Sequence, residues 1–337
     1  MGESHPTFRV KQVQRGLYTS FLSPWENSTL PQSLRDELKQ YFYLSSDHAQ
    51  LTLSDSGDTL KAVLTLKDQQ QIETVLMRYG RRNTVCISTQ AGCAMNCVFC
   101  ATGQGGYKRH LKVHEMEEQY FWAGKELKHR DPNAKITNVV LMGMGEPLAN
   151  YDNSLAFIRS LMKNFSLGAR SITLSTVGIV PGIARLANES LQINLAVSLH
   201  APNDELRTQI VPINSRYNIA SLVEVLKLYR RNTNRRITFE YALINDLNDR
   251  DTHMSQIAEI ALELRAHVNL IPLNPTPKYD YPGSPPERVS QCRALLQNHG
   301  VTVTVRDTRG SDIAAACGQL VVSNVNTPKT RRKVVLI

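Results

Sequence analysis

The stretch Cys93-Ala-Met-Asn-Cys97-Val-Phe-Cys100 places three cysteines within eight residues. This cysteine loop, residues 93–100, follows a short β-branched run at 84–88, so we expect it just past the end of a strand. A chain of 337 residues can bury enough core to fold without disulfide staples. The close spacing of the thiols therefore indicates metal or redox chemistry in a reducing compartment.

Two kinds of metal site fit the cysteine loop. Thiolates hold iron–sulfur clusters, usually four to a cubane, so three ligands leave one iron free to chelate a substrate. Structural zinc typically takes four ligands in paired knuckles. Here a second pair is missing, although His110 or His114 could complete the set. The spacing favours an iron–sulfur cluster, with zinc as the alternative.

The rest of the chain alternates short β-branched runs with helical patterns. This alternation implies parallel βαβ units and an α/β fold. The pattern does not separate a closed or partly closed barrel from an open doubly wound sheet, but ligands bind at the carboxyl ends of the strands in both. The predicted strands are residues 84–88, 137–142, 171–175, 193–198, 237–243, 268–271 and 301–305.

The first eighty residues have a different pattern. Residues 31–43 read as a short helix behind Pro31, and residues 49–75 read as small strands separated by turn signals. We therefore predict three parts: a small N-terminal accessory region over residues 1–80, a catalytic core over 81–320, and a basic tail over 321–337.

The chain is basic, with a formal net charge of +9 and a pI of about 9.3. Two basic runs stand out: Arg230, Arg231, Arg235 and Arg236, and Lys329, Arg331, Arg332 and Lys333. They favour a polyanionic partner, although each run could be only a solvated face or tail. Because no signal peptide and no stretch of about 20 apolar residues is visible, we expect a soluble cytoplasmic protein without membrane contact.

Four motifs resemble the RlmN/Cfr family of radical S-adenosylmethionine (SAM) RNA adenine methyltransferases. They are Cys86-Ile-Ser-Thr-Gln-Ala-Gly-Cys93 with the cysteine loop, Met142-Gly-Met-Gly-Glu-Pro147, Leu199-His-Ala-Pro-Asn-Asp204 and Arg309-Gly-Ser-Asp-Ile-Ala-Ala-Ala-Cys-Gly-Gln319. The likeness extends over residues 8–320. It implies a partial (β/α)6 barrel with a small N-terminal accessory domain that helps bind RNA. One departure is His110, where the family commonly has Asn.

The resemblance implies a specific chemistry. Cys93, Cys97 and Cys100 would hold a [4Fe-4S] cluster whose free iron binds SAM. One SAM would methylate Cys317, and a second would give the 5′-deoxyadenosyl radical that takes hydrogen from this S-methyl group. The methylene radical would add to adenine, and Cys86 would release the product as a transient disulfide with Cys317.

The remaining site residues also come from the resemblance. Glu73 stands at the position of the proposed proton acceptor, although it could be an ordinary strand carboxylate or part of an ion pair. Without the resemblance, the positions implied to contact SAM would be interpreted as polar residues that cap or end strands. The Gly143-Met-Gly145 stretch would then be interpreted as an ordinary turn. The implied SAM contacts are Gly145, Glu146, Ser175, Ser198, Leu199, His200 and Asn274.

The expected substrate is an adenosine of 23S rRNA, methylated at C2 as by RlmN, with tRNA as a further candidate. Cfr-type methylation at C8 is the nearest alternative, since both types share these residues. A radical SAM enzyme with another substrate and a zinc-containing RNA-binding protein are the more distant ones. We expect a monomer that takes electrons from a flavodoxin-like donor. Cys292, on a helix face with Val289 and Leu296, is expected in the core.

Overall fold

A computed structural model describes residues 6–321 of the chain. The predicted basic tail, residues 321–337, lies outside the described residues except for Val321, as does the second basic run. No helix among residues 6–321 is long and apolar enough to cross a membrane.

Within residues 6–321, ten strands form one sheet whose spatial order follows the chain order. The strands are β1 (Gln50–Leu53), β2 (Thr59–Thr65), β3 (Gln71–Tyr79), β4 (Arg82–Cys86), β7 (Asn138–Leu141), β8 (Ile172–Thr176), β9 (Asn194–Ser198), β10 (Ile237–Leu243), β11 (His267–Pro272) and β12 (Val303–Val305), while β5 (Gln90–Gly92) and β6 (Tyr107–His110) form a separate hairpin. Each of the seven strands predicted from residue 84 onward is present, and the last begins two residues late, at Val303.

The sheet from β4 to β12 is parallel throughout. A doubly wound sheet reverses its strand order at a switch point, whereas this order never reverses. Since β1 and β12 remain at opposite edges, the parallel strands form an open, partial barrel. The question that the strand pattern left open is thereby settled in favour of the barrel.

The helices of the core connect successive parallel strands and bury one face each. Helix α8 (Ile219–Thr233) shows why: Asn218 caps it by accepting a hydrogen bond from Ser221 N (2.9 Å), and Leu222 and Leu226 are fully buried. The last helix ends before Gly300, whose φ of +82° suits the C′ position, and Cys292 is fully buried as predicted. The helices are α1 (Thr7–Arg15), α2 (Gln32–Tyr41), α3 (Ala101–Gln104), α4 (Val113–Arg130), α5 (Tyr151–Lys163), α6 (Val180–Leu186), α7 (Asp204–Ile210), α8 (Ile219–Thr233), α9 (Asp251–Glu263) and α10 (Pro286–Asn298).

The N-terminal strands continue the barrel sheet. Strands β1 to β3 are antiparallel, and β3 pairs with β4. The sheet therefore runs through residue 80, and the division into parts at that residue stays a prediction.

The chain after β12 crosses back to the N-terminal strands. Asp312 accepts a hydrogen bond from Asp55 N (2.8 Å), and Arg309 forms an ion pair with Asp58 (3.3 Å). Arg309 also donates to Arg78 O (3.2 Å) in β3. These contacts carry the C-terminal motif across the gap between the two edges of the sheet.

Candidate active site

A cavity at the carboxyl ends of the parallel strands collects most of the predicted site residues. Strand β4 ends at Cys86 and β9 at Ser198, and the loops after the other strands complete the wall. This is where the barrel architecture places ligands. The predicted residues that line the cavity are Cys86, Cys93, Cys97, Cys100, Gly145, Glu146, Ser175, Ser198, His200, Asn274 and Cys317. Two predicted residues, Glu73 and Leu199, are buried outside this lining.

The cysteine loop owes its shape to a hairpin that the sequence pattern did not predict. Strands β5 and β6 flank it, and Cys93 N donates to Gly106 O (3.0 Å). Gly92 has φ +75°, and a Cβ there would lie 1.8 Å from Gly106 O, so only glycine fits. The loop then turns through Asn96 (φ +53°) into α3.

The three thiols of the cysteine loop are free and face the same cavity. Burial raises the pKa of Cys97 well above its ordinary value, and the nearby sulfurs of Cys100 and Cys93 raise it further. Burial likewise raises the pKa of Cys93 to about 12. Thiols in this state become thiolates only when a bound cation compensates their charge, so the donor set fits a cationic iron–sulfur cluster.

Among residues 6–321, no three His, Cys, Asp or Glu side chains converge as ligands of a single ion. The cysteine ligands of a cubane surround the cluster and bind different irons, so the cluster does not need such convergence. His110 instead lies 2.9 Å from Gln90 Nε2, and neither His110 nor His114 is part of the described cavity lining.

Cys86 and Cys317 come from different elements and line the same cavity. Cys86 is buried at the end of β4, and burial raises its pKa to about 12, with a further increase from Cys317. Cys317 lies in a loop and is accessible to solvent, although the protein around it still raises its pKa. The guanidinium group of Arg306 lowers the pKa of both thiols, so it favours their thiolate forms.

Glu146 lies in a tight turn after β7. The turn needs Gly145, whose φ is +100° and whose added Cβ would lie 2.5 Å from the Gln90 side chain. The Glu146 carboxylate accepts hydrogen bonds from Leu148 N (2.9 Å) and Val177 N (2.8 Å). Burial nevertheless raises its pKa to about 7. The turn therefore presents a carboxyl group that is poised between its charged and neutral forms.

Comparisons with known proteins agree with this geometry. Residues 87–256 match the radical SAM superfamily. A Chloroflexus aurantiacus protein named "Probable dual-specificity RNA methyltransferase RlmN" is 46% identical over 330 residues, covering 94% of this chain and 87% of that protein. The chain belongs to the RlmN group of radical SAM enzymes. A Geobacillus kaustophilus protein of the same name is 41% identical over 323 residues, covering 95% of this chain and 88% of its own length.

The fold has a solved counterpart. The crystal structure of a radical SAM methyltransferase from Sphaerobacter thermophilus matches with a TM-score of 0.88 and 43% sequence identity, covering 94% of this chain and 93% of that one. The resemblance inferred from the motifs and the α/β radical SAM fold are confirmed.

In this RlmN-group chain, His200 is neutral. Its backbone is left-handed (φ +58°), and its Nδ1 accepts a hydrogen bond from Ala242 N (3.0 Å). Burial lowers its pKa to about 3. Since Nδ1 is an acceptor, the proton of the neutral ring is on Nε2, which is free to donate. The ring also contacts Phe99 of the cysteine loop edge-on, with centroids 4.8 Å apart.

The other implied SAM contacts have different environments. Asn274 donates to Cys317 O (3.0 Å), so it holds the C-terminal motif as well as lining the cavity. Leu199 is fully buried outside the cavity lining, and its carbonyl accepts a hydrogen bond from Arg207 (3.1 Å). Ser175 and Ser198 line the cavity as expected.

The structure pairs Glu73 with a lysine. Glu73 Oε1 lies 3.0 Å from Lys61 Nζ, and Glu73 Oε2 accepts a hydrogen bond from Val321 N (2.9 Å). Burial raises the pKa of Glu73, and the charge of Lys61 opposes this shift. The ion pair that was the alternative explanation of Glu73 is thus present.

Three charged residues of the site were missed. Arg207 is fully buried on α7, and Glu240 and Arg306 line the cavity near Cys317. Arg207 follows the Leu199–Asp204 motif by three residues, which was the available signal, whereas Glu240 lies in an apolar run, Ile237–Leu243. The basic residues Arg235 and Arg236 precede β10, at the opposite end of the strands from the cysteine loop.

Proposed function

We propose that this enzyme methylates C2 of an adenosine in the peptidyl transferase region of 23S rRNA, with a tRNA adenosine next to the anticodon as a second substrate. The observation that carries the proposal is that Cys86, Cys317 and the three cysteines of the loop line one cavity. A radical SAM enzyme that did not use a methyl-carrying cysteine would have no need for Cys86 and Cys317. The names of the relatives support RNA as the substrate.

Cys93, Cys97 and Cys100 would hold the [4Fe-4S] cluster, and Glu146, His200 and the neighbouring strand ends would hold SAM. When bound, the cluster supplies the electron that splits SAM into methionine and a 5′-deoxyadenosyl radical. Glu146 can accept hydrogen bonds from the ammonium group of SAM, and Nε2–H of His200 can donate to an acceptor on it. The implied contacts are those lining the cavity, Gly145, Glu146, Ser175, Ser198, His200 and Asn274, together with the main chain of Leu199.

Cys317 suits a carrier of the methyl group because it is accessible and near a fixed positive charge. A thiolate is needed to accept the methyl group, and Arg306 favours this form. Once the one-carbon unit has joined adenine, attack of the Cys86 thiolate on the Cys317 sulfur forms the disulfide and breaks the sulfur–carbon bond to the product. The electron pair of that bond stays on the product carbon, which takes up a proton and becomes the methyl group. An external dithiol or its equivalent then reduces the disulfide.

Glu73 remains the proposed acceptor of the proton that leaves the adduct. Its carboxylate contacts Val321 and Lys61 and lies outside the described cavity lining, so this transfer requires the nearby C-terminal chain to move. Methylation at C8 in the Cfr manner is the second candidate, since the catalytic residues serve either carbon. A flavodoxin-like electron donor, a monomeric state and the cytoplasm, where ribosomes are modified, complete the proposal.

The test uses protein purified without oxygen, reconstituted with iron and sulfide, and supplied with SAM, a reductant and a 23S rRNA fragment. Mass spectrometry should find 2-methyladenosine in the RNA and a methyl group on Cys317. Cys317→Ala should abolish RNA methylation while SAM cleavage persists; full methylation by that variant would refute the mechanism. A product made only of 8-methyladenosine would select C8, and stoichiometric zinc without iron or sulfide would select the zinc protein.

A further inference from the structure

The chain that carries Cys317 is held at both ends by one ion pair. We define the Cys317 segment as residues 314–321. Lys61 Nζ donates to Ala314 O (3.2 Å) at its start, and Glu73 Oε2 accepts from Val321 N (2.9 Å) at its end. Lys61 and Glu73 themselves are 3.0 Å apart. The two ends of the segment thus meet at the same pair of charges.

The pair comes from neighbouring strands whose register brings the two side chains together. Lys61 of β2 lies opposite Val75 of β3, and Glu73 lies two residues before Val75. Diagonal neighbours in an antiparallel pair point to the same face and are within reach of long side chains. Only 11% of the Lys61 side chain and 4% of the Glu73 side chain are exposed, so water screens the pair little.

A buried ion pair is maintained only when its remaining hydrogen-bonding groups are also satisfied. Here the second oxygen of Glu73 and a further hydrogen of Lys61 are satisfied by the backbone of the Cys317 segment. The segment itself has little regular structure, since a single turn of 3₁₀-helix, Ser311–Ile313, precedes it. Its conformation therefore depends on contacts of this kind.

The opposite side of the segment is tied to the active site. Ala101 N, directly after the cysteine loop, donates to Gly318 O (2.8 Å), and Asn274 donates to Cys317 O (3.0 Å). The segment therefore bridges the N-terminal strands and the residues that face the cluster and SAM. Releasing its outer ends would leave the segment itself held by its contacts on the active-site side, while the chain before it stays tied to the N-terminal strands through Arg309 and Asp312.

We propose that the Lys61–Glu73 ion pair is a clamp that holds the Cys317 segment across the cavity, and that Lys61 is a positioning residue for the methyl-carrying cysteine. This inference rests on the proposed function for its consequence, which is the transfer of a methyl group to Cys317. The holding of the segment itself depends only on the contacts above.

The clamp is tested by the rate at which iodoacetamide alkylates Cys317 in the full-length, cluster-loaded protein, followed by peptide mass spectrometry at fixed pH. Lys61→Met removes the charge of Lys61 and its one hydrogen bond to the segment, the bond to Ala314 O, so alkylation should become about tenfold faster, as expected for the loss of one charge-assisted hydrogen bond. Lys61→Arg can still donate and should restore the rate to within about twofold. Lys67→Met, at an exposed lysine of the same hairpin, is the matched control and should leave it unchanged.

Two further measurements separate a clamp from general loosening. Alkylation of the buried Cys292 should stay at the wild-type rate in every variant. Lys61→Met and Glu73→Leu should have equal effects that do not add in the double variant, because they break one unit. Additive effects, or a Lys61→Met protein with unchanged Cys317 alkylation, would overturn the clamp.

The functional consequence is measured separately as the rate of Cys317 methylation by SAM. It should fall about tenfold in Lys61→Met and recover in Lys61→Arg, while Lys67→Met behaves as wild type. If the wild-type protein never methylates Cys317, the proposed function fails and the alkylation result still decides on the clamp. If wild type methylates Cys317 and Lys61→Met does so at the same rate, the positioning role of Lys61 is wrong.

Discussion

Replacing Arg207 by Met should destabilise the carboxyl ends of two barrel strands. The guanidinium group is fully buried and donates to Val177 O (2.6 Å), Leu199 O (3.1 Å) and Ser198 O (3.3 Å), and also to Asn214 Oδ1 (2.9 Å). Methionine fills similar space but donates nothing, so these four acceptors would lose this partner.

The size of the effect follows from two opposing contributions. Four hydrogen bonds to a charged donor are worth roughly 1.5 kcal/mol each, about 6 kcal/mol together. The variant no longer has to bury a charge, and this offsets part of that loss. The burial lowers the pKa of Arg207 to about 10, which shows that the charged form is disfavoured there. A net loss of about 3–5 kcal/mol remains, which should lower the thermal midpoint by roughly 4–7 °C in a chain of 337 residues.

Thermal unfolding followed by circular dichroism measures this loss, with Arg170→Met as the matched control. Arg170 is exposed in the turn before β8, so its replacement should change stability by less than about 0.5 kcal/mol. Because Ser198 and Leu199 are implied SAM contacts, Arg207→Met should also weaken SAM binding. Equal midpoints for the two variants would refute the idea that Arg207 holds the strand ends.

Three further predictions concern the walls of the cavity. Gly145→Ala should lower stability by about 2 kcal/mol or more and weaken SAM binding, because its Cβ would lie 2.5 Å from the Gln90 side chain. The control is Gly168→Ala, whose Cβ would meet open space and which should leave the thermal midpoint unchanged. In the wild type, SAM should bind more weakly as pH falls from 8 to 6, because Glu146, with a pKa of about 7, loses its charge in this range. Isothermal titration calorimetry of Glu146→Gln should show no such dependence of SAM affinity on pH. Identical pH profiles of SAM affinity in the two proteins would contradict the assignment of Glu146. The pKa of His200 is about 3 in the folded protein and about 6.5 in the unfolded chain, so between these pH values only the unfolded chain binds the extra proton and stability falls as pH drops. Denaturant unfolding should show that the wild type loses about 2 kcal/mol more stability than His200→Asn between pH 7 and pH 5. Equal losses would count against a buried neutral imidazole.

The strands of the barrel were predictable because each is a short run rich in apolar or β-branched residues, and β10 is buried at all but one of its positions. Parallel strands such as Ile237–Leu243 then read as continuous apolar or β-branched runs that stand out between helices. The cysteine loop was predictable because its spacing is local. The hairpin of β5 and β6 was not, since Gln90–Gly92 and Tyr107–His110 are short and lack such residues.

The supporting charges could not be predicted from local pattern. Arg207 looks like any exposed residue of a short helix, and its burial depends on where α7 packs against the ends of β8 and β9. Lys61 and Glu73 alternate along their strands as ordinary polar residues, and their pairing needs the register of β2 and β3. The contact of each with the Cys317 segment spans more than 240 residues of chain.

The titratable groups around the cavity share one tendency, which links the site to its ligands. Burial favours the neutral forms of Cys86, Cys97, Glu146 and His200 alike, so the protein alone leaves these four groups largely uncharged, and Arg306 is the cation beside them. The groups proposed to bind there, an iron–sulfur core, a sulfonium and an ammonium, are all positive. Ionising the thiols and Glu146 is costly without these cations, and binding the cations in a dry cavity is costly without the anions. Each therefore stabilises the other, whereas His200, which would repel them if protonated, stays neutral throughout the physiological range.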